Sequence, residues 1–131
     1  MSRIFFLTCI ASILSFSSVA QDKKVGHLLD GTSIDYVYES LGGVHVDFSN
    51  GQFKWHWASG NTGSAPYQAR KLGDKMYMVN FKVAGSSNFV TIVFNFDKKI
   101  FYTSALLNPK TKTEQSIFET GVIKQAMLKK N

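Results

Sequence analysis

Two short clusters contain the residue types that could do chemistry. One is "FKWHW", where Trp55 and Trp57 flank His56 and follow Lys54; the other is "YVY", where Tyr36 and Tyr38 flank Val37. Imidazole, ammonium and phenol groups are the raw material of acid–base catalysis and metal binding, and indoles and phenols are also good walls for a flat ligand. A metal would need several His, Cys or carboxylate ligands converging. The histidines are His27, His45 and His56, and the one cysteine, Cys9, lies in the first ten residues. His45 and His56 flank the Asn50-Gly51 pair at distances that put them on neighbouring strands of a hairpin. With no third or fourth ligand in reach of the pattern, they are expected to be outward-facing surface histidines, and no metal is expected. Nucleophile chemistry has no signature: there is no Gly-x-Ser-x-Gly elbow. Neither "GNTG" nor "AGSSN" leads into the Gly-Lys-Ser/Thr of a phosphate loop. No motif implies a cofactor.

These clusters need elements to position them. Turn signals recur along the chain: Leu41 to Gly43, Asn50-Gly51, Gly73-Asp74, Ala84 to Asn88 and Asp97 to Lys99. That spacing belongs to an all-β domain. Between the turns the hydrophobic period is two. Ile34, Tyr36 and Tyr38 share one face; so do Val44, Val46 and Phe48; Phe53, Trp55 and Trp57; Tyr77, Val79, Phe81 and Val83; and Val90, Ile92, Phe94 and Phe96. The stretch 100–107 is less decided, with Ile100, Tyr102 and Ser104 set against Phe101, Thr103 and Ala105. Strands are predicted at 34–40, 43–49, 52–58, 66–72, 75–83, 88–96 and 99–107. The stretch 115–124 could be helix or strand; Gly121 and its β-branched neighbours favour strand. Eight short strands in meander order predict one antiparallel up-and-down β-barrel, since closure removes the sheet edges. A barrel of eight strands has room for one small ligand.

Alternation separates the opening cluster in space. Trp55 and Trp57 are expected to face inward, with Lys54 and His56 facing out, because burying unpaired charge is costly. Tyr36, Tyr38, Trp55, Trp57, Tyr77 and Phe81 are then the expected ligand-binding residues, lining one bore from several strands. The same rings could instead fill a solid core, and the pattern leaves both readings open. Flat apolar walls with two phenol donors would suit a small aromatic acid or a similar amphiphile.

The chain has 131 residues, enough for a single domain. Residues 1–20, "MSRIFFLTCIASILSFSSVA", have a basic start at Arg3, an apolar run to about Phe16 and small residues at Ser18 and Ala20. This is the pattern of a cleavable secretory signal, and the run is too short and interrupted to remain as a membrane anchor. Cleavage after Ala20 would leave a barrel domain of residues 21–131. It would be exported to the periplasm or medium, with no cysteine and so no disulfide. The net charge of +6 is scattered over the chain, which favours anionic partners without naming one. No nucleic-acid-binding motif is present, and the oligomeric state is not legible.

Three stretches together carry a family resemblance: "YVYESLGGVHVDFSNGQFKWHW", "YQARKLGDKMYMVNFKV" and "VTIVFNFDKKIFYTSALLNP", spanning Ile34 to Pro109. The order is a Tyr-x-Tyr strand, a hairpin, a strand ending in Ser-Gly, a Tyr-x-Val-x-aromatic strand, and a hydrophobic strand followed by a charged turn. It resembles the calycin barrels of the MoaF-like group and the phenolic acid decarboxylases. The resemblance implies a lipocalin-like barrel with its site in the bore. The decarboxylases orient a hydroxycinnamate carboxylate with two tyrosines, which Tyr36 and Tyr38 match. Their arginine should fall within "SGNTGSAPY", which has none, and their glutamate near Lys82 and Val83. Two of four roles are missing, so binding is expected in preference to decarboxylase- or isomerase-type catalysis. A filled barrel acting as an interaction or inhibitor module is the remaining alternative.

Overall fold

The computed structural model describes residues 25–129. The expected signal sequence, residues 1–20, lies outside them. Nine strands are formed: β1 (Val25–Gly26), β2 (Ser33–Tyr38), β3 (Gly42–Ser49), β4 (Gln52–Trp57), β5 (Thr62–Gly73), β6 (Met76–Lys82), β7 (Phe89–Asn95), β8 (Ile100–Leu107) and β9 (Gln115–Met127). Among the described residues no helix is long and apolar enough to cross a membrane. Strands β2 to β9 pair in sequence order, all antiparallel, and β9 returns to pair with β2, so eight strands close into a barrel. Strand β1 was not anticipated. It pairs Val25 with Arg70 and Gly26 with Ala69, covering the edge of β5 that runs on past β4.

Local chemistry accounts for the hairpins. Asn50 and Gly51 both have positive φ, 51° and 72°, as the two-residue turn between Ser49 and Gln52 requires. The segment 115–124 is strand, as Gly121 suggested. A Cβ on Gly121 would lie 2.0 Å from the Val37 carbonyl oxygen and 2.6 Å from the Phe101 ring, so only glycine allows β9 to approach β2 and β8 together. Strand β5 begins at Thr62, four residues before the predicted start.

Strands β5 and β9 are the longest, at 12 and 13 residues, and each serves two partners in turn. The first part of β5, to Pro66, pairs with β4, and Tyr67 onward pairs with β6. The first part of β9 pairs with β8, and the part from Gly121 onward with β2. At one end of the barrel the β5–β6 and β9–β2 ladders close the wall, each with one register shift, at Lys71/Gly73 and at Asp35/Tyr36; towards the other end both stop, and the two halves of the wall diverge.

The closed end is packed solid. Ile34, Phe48, Val79, Phe94 and Phe101 are each no more than 1% exposed there. The chain between β1 and β2 caps it. Asp30 accepts hydrogen bonds from the Gly51 amide, at 3.2 and 3.1 Å, and from the Tyr67 hydroxyl at 2.8 Å. The Leu29 amide donates to Tyr67 Oη at 3.1 Å.

Candidate functional site in the open half of the barrel

Alternation along β2 turns Tyr36 and Tyr38 inward, and both are buried. On β4, Phe53 is buried while Trp55 and Trp57 are half-buried on the same inner face, with Lys54 and His56 exposed outside. Trp55 has space because its cross-strand neighbour is Gly63. A Cβ there would fall 2.3 Å from the indole, so glycine opposite tryptophan lets the ring lie flat along the wall.

The divergent half of the barrel holds a cavity of about 560 Å³ between the two sets of strands. Tyr36, Tyr38, Trp55, Trp57 and Phe81, all expected site residues, line it. Tyr77 does not. Its face is inward as predicted, but it sits at the packed end, 6.1 Å from Phe96 between ring centroids, beside a separate small cleft formed with Leu28 and Leu29. The question of a solid or hollow barrel thus has a divided answer, with a filled lower half and an open upper half.

The rings are stacked in two groups. Trp57 stacks on Tyr38 with centroids 5.5 Å apart and planes inclined by 18°. Phe53, Phe81 and Trp55 form the second group, with Phe53 4.3 Å and Trp55 5.9 Å from Phe81. Tyr36 forms the floor, edge-on to Phe101 at 4.6 Å and Phe94 at 5.4 Å. Tyr38 Oη and Thr103 Oγ1 are 2.9 Å apart and hydrogen-bonded. Burial raises the pKa of Tyr36 well above the phenol range, with the neighbouring Tyr38 adding to it. Burial also raises Tyr38, partly offset by its bonds to Thr103 and Tyr36. Both therefore remain neutral phenols at physiological pH.

Several contributors were not singled out from sequence. Asn61, Asn88 and Gln115 supply the other polar side chains of the lining, and Val83, Val90, Ile92, Ala105 and Ile117 much of its apolar wall. Thr103 was hidden by the undecided face of 100–107; the structure turns Phe101, Thr103 and Ala105 inward and leaves Tyr102 outside. Glu119 was also missed, although period two through "QSIFETGVIK" places it on the inner face with Ile117 and Ile123. It lies opposite Thr103 in the β8–β9 register. Ser40 Oγ donates to its Oε1, and its Oε2 is buried without a hydrogen-bond partner. Its charge contributes to raising Tyr38.

The histidines lie elsewhere. His45 and His56 are direct cross-strand neighbours on the outer face. His45 Nδ1 is 2.6 Å from Asp35 Oδ1 and Nε2 is 3.2 Å from Asp47 Oδ2, so both ring nitrogens are engaged by carboxylates. Among the described residues no group of three or more His, Cys, Asp or Glu is arranged to hold a metal ion.

The profile of the MoaF N-terminal domain matches residues 23–106, well over half of the chain. The chain belongs to the MoaF N-terminal domain family. That match ends within β8, so in this MoaF-type barrel the closing strand β9, with Glu119, lies beyond it. No curated protein sequence matches the chain significantly. Among solved structures, a "putative beta-lactamase from Burkholderia vietnamiensis" superimposes with a TM-score of 0.63 at 13% identity, covering 76% of this chain and 95% of its own. At that identity the likeness is one of fold.

Proposed function

We propose that this chain is an exported barrel protein that binds a small aromatic or amphipathic molecule in the open half of its bore. The observation that carries the proposal is the aromatic-lined cavity of about 560 Å³. Its volume is in the range of small-molecule pockets, and its few polar groups are set among apolar walls, as such pockets usually are. Export is supported by the pattern of residues 1–20, with a basic start, an apolar run and small residues before Gln21. The family membership supports the barrel but assigns no ligand.

Catalysis of decarboxylase or isomerase type at Tyr36 and Tyr38 is the alternative. Glu119 beside Tyr38 speaks for it, as a carboxylate near a phenol pair. Against it, no cation is among the described residues lining the cavity to orient a carboxylate substrate. Arg70, the one arginine after Arg3, is exposed on β5 and pairs in register with Val25 at the far end.

The test is native mass spectrometry of the protein purified from its own host, coupled to tryptophan fluorescence during titration with a panel of small aromatic compounds. A retained small molecule, or saturable quenching of Trp55 and Trp57, is the expected result. Iodide quenching of both indoles as free as that of indole in solution, with no response to any panel member, would sink the reading.

A further inference from the structure

We infer that the molecule this cavity selects is uncharged: an apolar or aromatic body carrying a neutral hydrogen-bond acceptor such as a carbonyl, rather than a carboxylate or an ammonium. The inference rests on the proposal that the bore is the binding site, and adds the chemistry of what enters it.

Its first support is the lining. Among the described residues, no Asp, Glu, Lys, Arg or His lines the cavity. The net charge of +6 is carried elsewhere on the chain. A carboxylate moved from water into this space would lose hydration and meet no counter-charge, which strongly disfavours the ionised form.

The second support is the polar end of the cavity. Tyr38 stays protonated, so it presents a hydroxyl and not a phenolate, while the Tyr36 hydroxyl is turned to Tyr38. Tyr38 and Thr103 share one hydrogen bond between two hydroxyls, which uses one of their two hydrogens. The other remains to be donated, and a neutral carbonyl or ether oxygen would accept it.

The third support is Glu119. Its carboxylate is close enough to Tyr38 to raise its pKa, and Oε2 has no donor to neutralise it. An anion docked on the phenols would face this like charge. An ammonium is the competing chemistry, because aromatic faces and the Glu119 charge both attract cations. However, Glu119 is not among the residues lining the cavity and one of its oxygens is held by Ser40, so no counter-charge touches an ammonium that has lost its hydration there.

Three probes of one shape separate these cases: 3-phenylpropanamide, 3-phenylpropanoate and 3-phenylpropylamine, titrated at pH 7 with tryptophan fluorescence as the readout. The amide is expected to bind at least about tenfold more tightly than the carboxylate, whose affinity should recover as pH falls and it becomes neutral. Gln115→Lys places a cation at an exposed lining position and should narrow that gap by strengthening carboxylate binding. A carboxylate that binds as tightly as the amide at pH 7, or an amine that binds tightest, overturns the inference and leaves the bore as a binding site. If none of the three binds while the far-UV spectrum remains that of a folded β-protein, the bore-binding proposal itself fails, and this inference with it.

Discussion

Tyr38 joins the two halves of the cavity wall. It stacks on Trp57 of β4 and is hydrogen-bonded to Thr103 of β8 at 2.9 Å. Tyr38→Phe keeps the ring and removes the hydroxyl, so it should weaken binding of a neutral probe by about 0.5–1.5 kcal/mol. Thr103→Val should cost a similar amount, and because the two hydroxyls form one unit the double variant should lose less than the sum. Calorimetric titration of the four proteins checks this; full additivity would mean the hydroxyls act independently. His45 gives a second prediction at this scale. Its hydrogen bond to Asp35 holds its pKa above the usual imidazole value, so it stabilises the fold fully below about pH 6.5 and loses that contribution as pH rises through the folded-state value. Asp47 is lowered, first by the Ser33 hydroxyl and also by His45, so its contribution is complete above about pH 3.9 and fades as pH falls. The difference in urea midpoint between wild type and His45→Gln should therefore be largest between about pH 4 and 6.5. The corresponding difference in unfolding free energy should remain small, about 1 kcal/mol or less, because side chains 44–50% exposed are screened by solvent.

Strands were legible where alternation was clean, and what alternation cannot specify is height. Tyr77 shows the limit. Period two assigns its face correctly, but its axial position follows from pairing with Lys71 and Phe94, which is set by non-local register. It therefore belongs to the packed end, while Phe81, four residues along the same strand, reaches the cavity. On β8, both faces offer an aromatic residue, Phe101 or Tyr102, so only tertiary packing could choose between them. The two-residue strand β1 has too little sequence to show a period at all. Strand β9 was readable through Gly121, and it carries the element-scale prediction. Gly121→Ala puts a methyl group against the Val37 carbonyl where β9 joins β2. The expected cost is about 1–3 kcal/mol or more in unfolding free energy, seen as a lower urea midpoint. An unchanged midpoint would mean that the β9–β2 junction is not tightly packed.

At the scale of the whole molecule, the barrel is two structures in one. The β5–β6 and β9–β2 ladders and the capping segment around Asp30 make a solid base. Divergence of the same strand pairs leaves the aromatic space above it. The proposal that this space is where a ligand sits can be tested by filling it. Ala105 lines the cavity and is 7% exposed, and its side chain points inward from β8. Ala105→Phe should occupy the bore without disturbing the packed base. Isothermal titration with 3-phenylpropanamide, alongside the melting temperature, makes the measurement. The variant is expected to melt at or near the wild-type temperature and to have lost detectable binding. Unchanged affinity in the filled variant would contradict the proposal, because the probe would then be bound somewhere other than the bore.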